Sequence, residues 1–487
     1  MKKYLAILLG VVFVLGFAAS AFAIHAEIPA ESQATVAKGS TQITIGGDIR
    51  VRGEYQSNTS KFDNDVADHP TFYDQRVRLS IDAKVTNNTE GFVMIEAANG
   101  KQSTGYQWGG NDVPSQGSQG IYQYGDSKRG ELNLLEAWIQ YKGSGLLGIP
   151  AGIKVGHMPL ALGNKVFFDH TLFGDDAIVL FADPTKEMHI VALTAKFMEG
   201  NNSNNDDANA YVGVFDYRTK EFGVSFDVTY VDHQNSFYNS DGSPTTVANT
   251  ANGGLPVNPL AAGVDTHLWN FGIRGDVTLF GFNIYADGEG QTGKITNLAP
   301  QNEKYKGYAV LVGASYKLDP VKFLLEWGYG SGDDNPTDGS FKEYVTSLSA
   351  YQRDTYIYGY RSVSAGNVLG IPVKSGGLAN TNRIRFGVDA DLTKELFANV
   401  TYYYLRANKL VDTNLPGLPV WTSAPIDASH SIGSEIDWLF KYKIDKNLTY
   451  YVEGGYLFAG NFYKVVTPGN VSPDNAWAIR NGLQLTF

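Results

Sequence analysis

The chain has 487 residues, 18% of them charged, with 39 Lys and Arg against 50 Asp and Glu and no cysteine. Without cysteine there is no disulfide, thiol nucleophile, iron–sulfur cluster or haem attached through C-x-x-C-H. A formal net charge of -11 argues against a general nucleic-acid binder.

The chain begins MKKYLAILLGVVFVLGFAASAFA: a basic start at Lys2 and Lys3, an apolar run from Leu5 to Ala18, and a small-x-small site at Ala21–Ala23. This pattern predicts a secretory signal peptide over residues 1–23. Losing Lys2 and Lys3, with no acid in that segment, takes the net charge from -11 to -13. Residues 24–40 are polar and weakly patterned, which predicts a periplasmic tail or a short helix tucked inside the remainder. Beyond residue 23 no run of 18 apolar residues occurs, so no later helix is expected to span a bilayer.

From residue 41 to the last residue, 487, the sequence alternates. In TQITIGGDIRVRGEYQ (41–56), Ile43, Ile45, Ile49, Val51 and Tyr55 fall on one face and Asp48, Arg50, Arg52 and Glu54 on the other. Side chains on a strand point alternately to opposite faces, so this is a strand with one apolar and one ionic face. QRVRLSIDAKV (75–85), HLWNFGIRGDVTL (267–279), RIRFGVDADL (383–392) and the final WAIRNGLQLTF repeat the pattern. Strands are predicted near 41–56, 71–86, 91–99, 131–142, 151–158, 176–182, 187–198, 209–218, 222–232, 265–279, 281–291, 305–318, 321–331, 381–392, 396–407, 429–444, 447–459 and 475–487. Short connections such as DPTK (183–186), TKE (219–221 and 393–395) and DP (319–320) alternate with long ones such as 100–130, 233–264, 332–380 and 408–428. An even number of strands, 18 here, with long loops on one rim and short turns on the other predicts an all-β, antiparallel, up-and-down transmembrane barrel over 41–487.

Aromatic residues sit near strand ends on the apolar faces: Tyr55, Tyr141, Trp269, Tyr316, Trp327, Tyr402, Trp438, Tyr442, Tyr456 and Phe487. Tyr and Trp favour the headgroup level of a bilayer, so the apolar faces are expected to meet lipid and the ionic faces a lumen. Backbone polar groups in hydrocarbon need partners, which forces the sheet to close. The expected setting is a Gram-negative outer membrane, with lipid and lipopolysaccharide as surroundings. The outer-membrane assembly machinery is expected to read the terminal Phe487, and a homo-oligomer is left open.

Other motifs carry little chemistry. GEGQTG (288–293) matches G-x-G-x-x-G but ends an amphipathic strand instead of opening a helix, so it reads as a chance match. Of eight histidines, none forms H-E-x-x-H or a close ligand pair. Asp169 beside His170 is the one local candidate for rim catalysis, and a polar loop pair is the plainer reading. In SGDDNPTDG (331–339) the acids do not follow calcium-loop spacing, and the default is a turn. No catalytic residue, metal or cofactor is expected.

Two segments carry a resemblance. GYGSGDDNPTDG (328–339) and IGSEIDWLFKYKIDKNLTYYVEGGYLFAGNFYK (432–464) resemble the alginate-export-type outer-membrane porins. Their marks are a Gly-Asp-Asn/Pro loop late in the barrel, a Gly-x-Glu-Ile-Asp segment and a Gly-Tyr-x-Phe-x-Gly ending. The resemblance covers the last third best. It implies an 18-stranded channel, in agreement with the count of strands made from the alternation. It also implies a strongly basic lumen in members that export an acidic polysaccharide. This chain departs there, because its lumenal acids are at least as numerous as its bases.

The inner faces predict where charge lies. Closure of the last strand on the first brings Arg480 beside Arg50 and Arg52, and those beside Arg76 and Arg78. The wall nine strands away carries Asp227, Asp276, Asp287 and Glu289 with Arg274. Arg383, Arg385, Glu326, Glu435, Asp437 and Glu453 complete the expected pore lining. Two arrangements are open: a basic wall facing an acidic one across water, or arginines paired locally with acids such as Asp48, Glu54, Asp74 and Glu453. The 332–380 connection, with 159–175, is expected to fold into the mouth. The expected function is diffusion or selective passage of small hydrophilic solutes, with export of a saccharide polymer left open. The alternative is a scaffold barrel sheathing a periplasmic electron-transfer partner.

Overall fold

The computed structural model describes residues 34–38, 41–98, 106–107, 131–145, 148–199, 207–234, 265–296, 302–333, 338–347, 355–361, 367–368, 371–372, 377–410, 429–465, 467 and 471–487. Eighteen long strands form the wall. They are β1 (Thr41–Ser57), β2 (Thr71–Lys84), β3 (Thr89–Ala98), β4 (Glu131–Gly143), β5 (Ala151–Met158) and β6 (Asp175–Ala182). There follow β7 (Met188–Met198), β8 (Ala208–Arg218), β9 (Phe222–His233), β10 (Asp265–Leu279), β11 (Phe282–Thr296) and β12 (Tyr308–Leu318). The last are β13 (Val321–Gly330), β14 (Thr381–Asp391), β15 (Leu396–Ala407), β16 (Ser431–Asp445), β17 (Leu448–Ala459) and β18 (Ala476–Thr486). Each pairs antiparallel with its neighbours, and β18 returns to β1 in register from Asp48↔Thr486 to Ser57↔Trp477, which closes the barrel. At the seam, Gly47 and Phe487 exchange both backbone hydrogen bonds at 2.7 and 3.0 Å.

Four short segments attach to this sheet: Ala34–Lys38, Tyr106–Gln107, Glu303–Tyr305 and Ser340–Phe341. The first bears on one of the two forms expected for residues 24–40, the short helix: the described part is a strand instead. Ala34–Lys38 is a strand paired with β1 from Ala34↔Ile45 to Lys38↔Thr41, and so continues the sheet where β18 ends. Edge backbone groups at a strand end are satisfied most directly by another strand. Residues 1–33, with the expected signal peptide, lie outside the described residues.

The alternation has its predicted consequence. Ile43, Ile45 and Ile49 of β1 remain 36–39% exposed on the outside, whereas Asp48, Arg52 and Glu54 are 4–6% exposed on the inside. Aromatic pairs band the outer face near both rims. Tyr230 and Trp269 stack at 4.6 Å towards the long loops, and Phe282 and Tyr316 meet at 4.6 Å beside a short turn. Such cross-strand rings place an amphipathic surface at headgroup height.

A barrel of this many strands is too wide for its own side chains to fill. Two apolar cores are built instead by loops folding inward. Leu160, Leu162, Val166, Phe167 and Phe168 of the 159–174 loop pack on Val179, Val191, Val212 and Val214 of the wall. Phe341, Tyr344 and Val345 join that cluster from the 331–380 connection. The second core gathers Phe62, Ile357, Leu405, Ile432 and Tyr463 near the long-loop rim of β15–β18.

Candidate functional site

The inner face of β18, β1 and β2 carries the predicted arginines, and register decides what they meet. Arg52 stands across from Asp74, and donates through Nε to both of its oxygens at 2.6 and 2.7 Å. Arg76 donates to Asp48 at 2.7 Å, and Arg78 to Glu96 at 2.6 Å. Arg480 donates to Glu54 at 2.6 Å and to Glu453 at 3.0 Å. Arg50 lies directly across from Arg76, half-buried among these pairs. The wall is therefore a row of charge-assisted pairs between adjacent strands. Such pairs offset each other's charge, and the geometry is that of the local-pairing arrangement.

On β13 and β14 the same device recurs. Arg383 donates to Glu326 at 2.7 Å, and Arg385, opposite Glu326 in register, approaches it at 3.8 Å with its guanidinium 5.7 Å from the Tyr403 ring.

The far wall is denser. Arg274 on β10 meets Asp227 at 2.5 Å, Glu289 at 3.0 Å and Asp287 at 3.3 Å. The three acid side chains are fully buried and the arginine is 8% exposed. Glycine at position 272 makes room for this group, since a Cβ there would lie 2.4 Å from Asp227 Oδ1 and 2.6 Å from Arg274 Nη2. Asn270 adds a donor to Glu289 at 2.6 Å, and the backbone N–H of Asn164, on the inward loop, donates to Asp287 at 3.2 Å. Asp276 lies apart from this group, paired with Arg218 at 2.8 and 3.1 Å.

Two predicted lining residues have a different role. Glu435 is fully buried and accepts the backbone N–H groups of Ile357 and Tyr358 at 2.5 and 2.9 Å. Asp437 accepts that of Tyr356 at 3.0 Å. They hold the 355–361 segment against the wall and do not face open water. Arg361 of that segment lies 3.6 Å over Tyr356 and 4.2 Å over Tyr360, and donates to Glu54 at 2.6 Å. Arg218 continues the inner face of β8 after Val212, Val214 and Asp216, whereas no periodicity marks Arg361, which only proximity in the folded chain finds.

His170 ties the two inward loops together. It is 1% exposed, with Nδ1 2.9 Å from Asp175 and Nε2 2.9 Å from the carbonyl oxygen of Ser347. Its carboxylate partner is Asp175; the adjacent Asp169 binds Thr171 and Lys165 instead. Both ring nitrogens of His170 are spent on anchoring. In the 331–339 turn, Asp333 accepts the backbone N–H of Lys342 at 2.9 Å and Asp338 binds the Lys342 ammonium. Residues 334–337 lie outside the described residues, and no cluster fit to hold a metal occurs among those described. GEGQTG lies wholly within β11, which continues as strand to Thr296.

The family model described as alginate export matches residues 41–475. Among solved structures, OccK8 (OprE) of Pseudomonas aeruginosa is similar at 10% identity and a TM-score of 0.51, covering 91% of this chain and 98% of that one. OccAB1 of Acinetobacter baumannii is similar at 11% identity and a TM-score of 0.50, covering 91% and 96%. Curated protein sequences gave no match. At these identities the likeness to solved structures speaks for the fold alone.

Proposed function

The chain belongs to the alginate export family, and from that premise we propose a near-neutral, weakly selective pore narrowed by its own loops. It is an outer-membrane channel for small solutes, set in lipid, and a transport protein, not an enzyme. The observation carrying the proposal is the pairing of the inner arginines. Arg52, Arg76, Arg78, Arg274, Arg383 and Arg480 each meet a carboxylate on a neighbouring strand at 3.0 Å or less. A lumen so neutralised suits small hydrophilic solutes better than an acidic polymer, which needs unpaired positive charge along its path. The inward loops speak against the sheath for an electron carrier, because they take up the space a partner would need.

Reversal potentials in a salt gradient test this reading. The unmodified channel is expected to prefer cations slightly, in keeping with the net charge of -11. Changing Arg50, Arg52, Arg76 and Arg78 to Gln strips Asp48, Asp74 and Glu96 of their partners. The potential should then move further towards cations at low salt and converge on the unmodified value at high salt, where screening is short-ranged. A marked anion preference in the unmodified channel would show that the pairs do not neutralise the wall.

For assembly, Phe487 is proposed as the mark read by the outer-membrane machinery. Its ring also packs on Gly47, where a Cβ would lie 2.8 Å from it. Deleting Phe487 should lower the heat-resistant folded band and leave a protease-sensitive form. Unchanged folded levels would count against the assignment.

A further inference from the structure

Near the long-loop rim, register sets a row of polar side chains on the outer face of the barrel. Asp176 on β6 stands across from Lys196 on β7, and Lys196 across from Asn209 on β8. The row runs on through Asp232 on β9 and His267 on β10 to Lys294 on β11. Lys304, in the short Glu303–Tyr305 segment, continues it directly across from Lys294. Two residues nearer the short turns, Tyr211, Tyr230 and Trp269 stand level with one another on β8, β9 and β10. Two residues span ~7 Å of strand. Such rings favour the headgroup level of a bilayer, so the polar row stands at the height of the outermost lipid phosphates.

Charge in this row is matched until its end. Asp176 meets His157 at 2.9 Å, Lys196 meets Asp207 at 3.1 Å, and Asp232 meets His267 at 2.9 Å. Lys294 and Lys304 are exposed and make no ion pair among the described residues. Their sequence neighbours Ile295, Glu303 and Tyr305 are buried, so alternation turns both lysines outwards. Like charges directly across a ladder are destabilising. An anion between the two ammoniums removes that cost, and lysine binds phosphate as a point charge. Below Lys294 the outer face of β11 is Gly290, Gly288 and Ala286, with Phe271 on β10 and Tyr308 on β12 flanking Gly290. A Cβ at Gly290 would meet nothing within 4 Å, which leaves a shallow channel between the two rings.

We propose that Lys294 and Lys304 clamp a phosphate on the headgroup of a phosphorylated glycolipid of the outer leaflet, with an acyl chain lying along the channel beneath. The clamp goes beyond the channel reading and depends only on the outer-membrane setting. Purified, delipidated protein is titrated by native mass spectrometry with bisphosphorylated lipid A and with the same lipid dephosphorylated. The unmodified chain is expected to hold the phosphorylated lipid more tightly. Joint replacement Lys294→Gln and Lys304→Gln should weaken that binding by about 25-fold, about fivefold for each lysine lost. Joint replacement by Arg should keep most of it, and Lys394→Gln, on the short-turn rim, should leave it unchanged. Folded yield of each variant is checked by heat-modifiable mobility. Equal binding of the two lipids by the unmodified chain, or undiminished binding by the double Gln variant, overturns the clamp. Inorganic phosphate at the lipid's own concentration should not displace it. If it does, the pair serves a free anion and the lipid assignment falls.

Discussion

Replacing Arg274 by Met is expected to abolish most assembly of the barrel. The substitution keeps much of the side-chain volume but leaves Asp227, Asp287 and Glu289, all fully buried, with no cation among them. Removing one partner from a buried ion pair costs about 3–5 kcal/mol, because the remaining charge is stranded away from water. Here three carboxylates converge on one guanidinium, so the loss falls at or above that range. It also removes a surface on which the inward loop rests, since a Cβ at Gly163 would lie 1.8 Å from Arg274 Nε. The folded band on unheated gels should fall sharply. Arg274→Lys, which keeps charge but not the fork, should fall between. Adding Asp227→Asn and Asp287→Asn to the Met variant should restore much of the folded protein. If Arg274→Met folds like the unmodified chain, the three acids are not charged together in the native barrel.

Shortening the 331–380 connection should have the largest effect on current. Deleting residues 340–375 removes Phe341, Tyr344 and Val345 from the inner core, each 0–2% exposed. It also removes the 355–361 segment that Glu435 and Asp437 hold. Water then replaces packed protein within the wall. Unitary conductance should rise severalfold, and cation preference should strengthen because Glu435 and Asp437 become accessible. The strands themselves should persist, since β13 pairs directly with β14 from Val321↔Ala390 to Tyr329↔Asn382 without help from the loop. Unchanged conductance would mean that the current-limiting point lies elsewhere along the lumen.

The wall was legible because its physics is local. Each strand must show lipid one face and water the other, and a period of two records this without reference to partners. The largest boundary miss proves the same rule. β11 runs to Thr296, five residues beyond its predicted end at 291, and Gly293 in that stretch takes a φ of +126° against the His267 carbonyl. Glycine in that conformation reads as punctuation in sequence yet continues the ladder in space. The arginines could be placed on the inner face for the same local reason. Their partners could not be assigned, because register is a property of two strands: one residue of slip would move Asp74 away from Arg52. Loop chemistry was least legible. Glu435 follows the alternation of β16 and looks like pore lining, and only the return of Ile357 and Tyr358 over it makes it an anchor. The N-terminal Ala34–Lys38 strand was missed because five residues with a single large apolar side chain, Val36, carry no period strong enough to mark it.

On this reading the barrel encloses a continuous water path narrowed, but not sealed, by its own loops. Single-channel recording of the purified, folded protein in planar bilayers tests it most directly. Discrete unitary steps are expected, with weak cation preference, and they should grow when residues 340–375 are removed. A protein that runs as a folded barrel on unheated gels yet passes no unitary current, with or without those residues, would contradict it.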